Sequence, residues 1–233
     1  MEYFHVYRLV SNKRSRGFTL IELLIVIAIM GILMSIVING QNKFGQTTIL
    51  SSTAYDVALS IRQAQAYGMA GYKSASYGYG IDFSHNTPSE YTLFGDSYPS
   101  TISSGTCHNN NPDEPSDAPS VKTGDCLFTP NDSAFERTFT IHNYVEIKDF
   151  CVYKSGSGYC TNGGSVIINK LDISFVRPKT SAIIYAKNSS SEIQDADRAC
   201  IKLSKANGAR YVVVEKVGTI AVLQKPGTTC PGL

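Results

Sequence analysis

Tryptophan is absent from this chain, histidine occurs only four times, and charged side chains make up 17% of the 233 residues. The histidines, His5, His85, His108 and His142, are scattered, no G-x-S-x-G occurs, and no phosphate-loop or dinucleotide glycine fingerprint follows a strand-like run. The patterns that carry common hydrolytic and nucleotide-dependent chemistry are therefore missing, and no enzyme is expected. Cysteine is missing ahead of Cys107; none of the six cysteines sits at a C-x2–4-C spacing and no histidine lies close to two of them, which argues against a zinc centre. The acidic group Asp113, Glu114 and Asp117 lacks the ligand spacing of a calcium loop, and Pro112, Pro115 and Pro119 around it favour extended, solvated chain. No metal and no cofactor is expected. A large excess of one charge is lacking too: the net charge is +2, and Arg8, Lys13, Arg14 and Arg16 against Glu2 place more than all of it ahead of Phe18. The chain from Phe18 onward cannot bind nucleic acid by bulk charge alone.

Long apolar runs are lacking with one exception. Phe18 to Ile38 reads FTLIELLIVIAIMGILMSIVI, and its polar side chains are Thr19, Glu22 and Ser35. As a helix rising about 1.5 Å per residue it spans a hydrocarbon core of ~30 Å. Lys13, Arg14 and Arg16 stand immediately before it, which orients residues 1–17 toward the cytoplasm and the remainder outside. The even number of widely spaced cysteines agrees, because disulfides persist outside the cytoplasm. No small-residue A-x-A pattern comes after the run, where Val37-Ile38-Asn39-Gly40 stand instead, so cleavage behind it is not expected. Glu22 is the odd residue, since an ionisable group in a membrane helix needs a partner or a reason.

The run Arg16-Gly17-Phe18-Thr19-Leu20-Ile21-Glu22-Leu23-Leu24 resembles the type IV prepilin signature. The resemblance implies that a prepilin peptidase cuts between Gly17 and Phe18 on the cytoplasmic side and that Phe18 becomes the N-methylated N-terminus. It also implies that the Glu22 carboxylate answers the N-terminal amine of a neighbouring subunit during assembly, a charge-assisted pairing that offsets two desolvation costs together. The implied partners are other pilin subunits in a helical filament, the peptidase, an inner-membrane assembly platform, and membrane lipid before assembly. The implied location is the bacterial inner membrane as a single-pass precursor, then an extracellular pilus or a periplasmic pseudopilus.

Beyond the membrane, Gly40 and Gly45 weaken helical propensity, and the helix is expected to loosen there. It resumes with Leu50, Ala54, Val57, Ala58, Ile61 and Ala64, whose spacings of three and four draw one apolar stripe. Gly68 and Gly71 end it. The period then changes to two. Tyr77, Tyr79, Ile81 and Phe83 alternate with smaller or polar residues, and EYTLFG at Glu90 to Gly95 succeeds a turn-like HNTPS, which reads as a hairpin. Residues 97–134 are rich in Ser, Pro, Asn and Asp and read as a long surface loop. Strand-like runs resume at Phe135 to Ile147, Phe150 to Tyr153, Val166 to Phe175, Ser181 to Ala186, Ala199 to Leu203, Arg210 to Lys216 and Thr219 to Leu223. The expected fold class is α+β and pilin-like: a long N-terminal helix packed on a mostly antiparallel β-sheet domain. The expected divisions are a cleaved leader at 1–17, a membrane and filament-core helix at 18–38, an amphipathic half at 39–71, and a β-rich head at 72–233. Runs such as Ile173-Ser174-Phe175-Val176 and Tyr211-Val212-Val213-Val214 resemble the globular part of minor pilins and H-type pseudopilins.

Six cysteines permit fifteen pairings. Nearest-neighbour pairing gives Cys151 with Cys160 across the KSGSGY turn, Cys107 with Cys126 in the long loop, and Cys200 with Cys230 at the tail. Charge is segregated: eight acids face one lysine over residues 82–134, and six bases face Glu215 over residues 198–225. The two could meet between subunits and set register. In an alternative reading the chain is a minor tip pilin, a binding module for DNA or a surface, with Lys202, Lys205 and Arg210 as the phosphate contacts. A third reading is a single-span anchored protein that never assembles.

Overall fold

The computed structural model describes residues 17–71, 78–96, 126–129, 136–162, 167–176, 179–188, 190–206 and 208–224, with the side chains of 39–44 and 136 left aside. The expected leader up to residue 16, Cys107, Cys230 and most of the 97–134 loop lie outside the described residues. The chain divides into two compact units, Met1–Phe44 and Gly45–Leu233.

One helix, α1 (Leu20–Ala70), enters both units. It is assigned through Gly40 and Gly45 without a break, contrary to the loosening expected there, although the division into units falls at this place. In the first unit, Leu20–Ile38 is long and apolar enough to cross a membrane, and none of its residues is buried. In the second unit the expected stripe is the buried one: Leu50, Ala54, Val57, Ala58, Ile61 and Ala64 are all at most 2% exposed. The helix stops where glycine is needed twice. Gly71 takes a left-handed φ of 58° while its amide bonds back to the Tyr67 carbonyl at 2.9 Å, the usual helix end. At Gly68 a Cβ would stand 2.5 Å from the Phe175 carbonyl oxygen.

Among the described residues, eleven strands come after it in two antiparallel sheets. The first sheet runs in the order β3-β2-β1-β6-β7-β8, with β1 (Gly78–Ser84), β2 (Glu90–Asp96), β3 (Glu136–Thr140), β6 (Lys170–Phe175), β7 (Ala182–Lys187) and β8 (Glu192–Ile193). The second runs β11-β10-β9-β4-β5, with β4 (Glu146–Lys154), β5 (Ser157–Cys160), β9 (Arg198–Lys205), β10 (Gly208–Glu215) and β11 (Ile220–Leu223). Register explains the core. Leu93, Ile81, Ile173 and Ile184 stand abreast across four strands of the first sheet, and Phe150, Ile201, Val212 and Val222 across four of the second. Both rows join the helix stripe in one apolar cluster.

The expected hairpin at 77–95 is β1 with β2. The expected single run Phe135 to Ile147 is broken: β3 ends at Thr140, a turn intervenes, and β4 starts at Glu146 in the other sheet. Composition hides the turn because it contains neither glycine nor proline; Asn143 and Tyr144 take left-handed φ values of 62° and 57° instead. Within the expected surface loop, residues 126–129 are docked, and Cys126 is only 1% exposed. The loop's polar composition conceals that aspartates of the first sheet hold this piece by its backbone.

Candidate functional site

The first described residues are arranged around one carboxylate. Gly17, Phe18 and Thr19 precede the helix, and Phe18 is 86% exposed. A peptide bond outside regular hydrogen bonding and open to solvent is what a peptidase can reach. The Thr19 carbonyl accepts the first helical bond, from the Leu23 amide at 3.2 Å. Its hydroxyl accepts from the Glu22 amide at 3.3 Å, and the Glu22 carboxylate accepts from the Thr19 amide at 3.5 Å. This is a reciprocal capping box. The T-x-x-E spacing that signals it is plain in the sequence, and it gives Glu22 a partner within its own chain besides the intermolecular one expected. The carboxylate therefore lies at the positive end of the helix dipole, within one turn of the Gly17–Phe18 bond and aimed back toward it.

The cysteines form the next layer. Cys151 and Cys160 face each other in the β4–β5 hairpin and are bridged, with Cα atoms 4.0 Å apart. Cys126 and Cys200 are disulfide-bonded as well, while Cys107 and Cys230, their expected partners, lie outside the described residues. Cys200 stands opposite Cys151 in the β4–β9 ladder, so Cys160, Cys151 and Cys200 make one row beside Tyr153 and Val213.

The three cations singled out for phosphate contact are not brought together. Arg210 pairs in register with Leu203, and Lys202 with Tyr211, on the alternate face. Since Leu203 belongs to the apolar core, Arg210 points to the helix side, where its Nε donates to Ser51 Oγ at 3.0 Å. Lys202 lies on the opposite face, opposite Asp149. Burial raises the Asp149 carboxyl, while the Asn162 amide, the Thr161 hydroxyl and then Lys202 pull it back. Lys205 closes β9 at the turn. Other members of the basic segment are engaged inside the head: Arg198 pairs with Glu215 at 3.0 Å and Lys216 with Asp195. Lys202 and Arg210 therefore lie on different faces of this sheet.

A groove of about 490 Å³ runs between the head's part of α1 and the β2–β3 edge, with Asp56, Ser60, Tyr91 and His142 on its walls. Ser60 Oγ donates to the Asp56 carbonyl at 3.0 Å and meets Tyr91 Oη at 3.0 Å; burial raises the Tyr91 phenol, and Ser60 lowers it in part. Ser60 is thereby engaged with Asp56 and Tyr91. Among the described residues no three His, Cys, Asp or Glu side chains converge as metal ligands.

Residues 12–38 match the family model described as the prokaryotic N-terminal methylation motif. No curated protein and no solved structure matches the chain. The motif together with the apolar N-terminal helix is consistent with type IV prepilin-like proteins.

Proposed function

We propose that this chain is the precursor of an assembly subunit of a type IV pilus or of the related type II secretion pseudopilus. The peptidase cuts after Gly17, Phe18 becomes the methylated N-terminus, and the apolar helix waits in the inner membrane with the head outside the cytoplasm. Assembly then exchanges lipid for the helices of other subunits, and Glu22 sets the axial position of each newcomer. The observation that carries this reading is the methylation motif on residues 12–38, set on a helix start whose first 19 residues are uncovered by their own chain. The role is structural, without catalysis.

The capping box refines the role of Glu22. Before assembly its carboxylate is held by the Thr19 amide, so the acid enters the membrane with one hydrogen bond already made and its charge next to the helix N-terminus. Arrival of a neighbour's N-terminal ammonium replaces a neutral donor with a charged one, adding ion pairing to a bond whose acceptor already carries charge. N-terminal sequencing of the mature protein is expected to begin at N-methyl-Phe18; retention of the first seventeen residues would overturn the reading. Glu22→Gln keeps the capping box, because glutamine serves at that position, but removes the charge. Both Glu22→Gln and Glu22→Ala are expected to insert in the membrane and fail to enter filaments. Normal incorporation of the glutamine variant would assign Glu22 to helix capping alone. A scarce tip subunit that binds DNA is the weaker reading, because Arg210 and Lys202 face apart; quantifying the chain in purified filaments separates a building block from a tip component.

A further inference from the structure

The head contains a buried ionic group that the assembly reading does not use. Asp82 of β1 and Asp172 of β6 stand directly opposite each other, on the face of the first sheet turned away from its apolar row. Asp172 is fully buried and Asp82 is 7% exposed. One cation serves both: Lys170 Nζ lies 3.4 Å from Asp82 Oδ1 and 3.3 Å from Asp172 Oδ2. Across this face runs the 126–129 segment. Its Phe128 amide donates to Asp172 Oδ1 at 3.3 Å and its Cys126 amide to Asp96 Oδ2 at 2.7 Å. Its two carbonyls accept in turn, Cys126 O from Ser174 Oγ at 2.7 Å and Phe128 O from Lys170 Nζ at 2.6 Å. The Phe128 ring rests 5.5 Å from that of Phe94.

Two carboxylates and one ammonium leave an uncompensated negative charge at a site where the carboxyls are buried from solvent. Such a charge is costly, and a proton shared between facing carboxyls removes it. In register on β7, Lys187 stands beside Lys170, and Tyr185 beside Asp172; Lys187 favours the ionised form of Asp82 less than Lys170 and Asp172 do. On β2, Thr92 stands beside Asp82, and Asp96 is a third carboxyl on the same face.

We propose that Asp82 and Asp172 hold one shared proton and form a proton-dependent clamp on residues 126–129, tight while the proton is present and loosened when it leaves. Burial raises both carboxyls, and for Asp172, raised well above the ordinary value of 3.8, the Asp82 charge and the hydrogen bond with Asp82 add to the effect while Lys170 and then the Phe128 amide oppose it. The sign is the reverse of the common carboxylate case. The folded state binds the proton more tightly than the unfolded state, so the stabilisation is complete below the ordinary value and is lost as the pH rises through the raised one.

The test uses the full chain in detergent micelles. Hydrogen exchange of the Cys126 and Phe128 amides is followed from pH 5 to 9 and corrected for the intrinsic rate. Protection is expected to fall as the pH rises, by roughly tenfold for each pH unit by which the folded value exceeds 5, the start of the range. Asp172→Asn supplies an uncharged group of the same shape, able to accept from Phe128 and donate to Asp82; its protection is expected to be high and flat with pH. The carboxyl carbon resonances of the unmodified chain give a reading that needs no variant, and one of the pair is expected to titrate well above 3.8. Protection independent of pH, an Asp172→Asn variant with the original pH dependence, or both carboxyls titrating at the ordinary value would overturn the clamp.

Discussion

The two halves of α1 share one secondary structure and teach opposite lessons about burial. Over Leu20–Ile38 apolar side chains point in every direction and none is covered. Over the head's portion the covered ones occupy one stripe, Leu50, Ala54, Val57 and Ile61 completely or nearly so, while Tyr55 and Leu59 off the stripe stay exposed. A helix that is apolar all round must find its solvent outside its own chain, in lipid or in sister helices, whereas a striped helix finds it in its own sheets. The comparison predicts that one substitution has two outcomes. Ile61→Ala removes a side chain with no exposure and is expected to lower the stability of the head by about 2 to 5 kcal/mol. Ile29→Ala, at a side chain 52% exposed, is expected to leave thermal unfolding of the head unchanged and to register only in filament assembly. Equal losses in calorimetry would erase the distinction between the halves.

Glycine offers a second, smaller test. A Cβ at Gly31 meets nothing within 4 Å, while one at Gly68 meets the Phe175 carbonyl at 2.5 Å and its Cβ at 2.9 Å. Gly68→Ala forces the helix and β6 apart and is expected to cost about 1 to 3 kcal/mol in denaturant unfolding. Gly31→Ala has room and better helical propensity, so it is expected to favour the helix by up to about 1 kcal/mol, seen as increased helicity in micelles. A Gly68→Ala variant as stable as the parent would show that the close approach relaxes freely.

The same contrast explains why some parts of the fold are legible in the chain and others are not. Both halves of α1 are legible because periodicity and its absence are local properties, and the β1–β2 hairpin is legible because Tyr79, Ile81 and Phe83 alternate with residues of the other face. Glu22 stands out as an anomaly, but its nearer partner, Thr19, is easily missed although it lies three residues away. The Asp82–Asp172 pair is not legible at all. Its facing depends on the register of β1 with β6, strands far apart in the chain, and nothing local announces that register. Cys126 is hidden for a related reason: a polar, proline-rich stretch reads as solvated, and only the carboxylates and hydroxyl on the sheet's other face turn its backbone inward. The two-residue β8 is too short to signal.

The smallest effect concerns an exception within the head. Exposure is the rule for apolar residues in the first half of α1, but on the head Tyr144 is 93% exposed in a turn where both it and Asn143 take left-handed φ. A bulky residue in that conformation costs on the order of 1 kcal/mol, and an uncovered ring returns nothing to the fold. Glycine adopts the same backbone without the steric cost, although it surrenders part of the gain through the freedom it adds to the unfolded chain. Tyr144→Gly is therefore expected to raise the unfolding free energy by a net of up to about 0.5 kcal/mol in urea titration. A loss of stability would mean that the ring is packed by the head after all. The opposite outcome, a more stable variant, would leave Tyr144 as a side chain whose strain is retained for something other than folding, as the apolar half of α1 is.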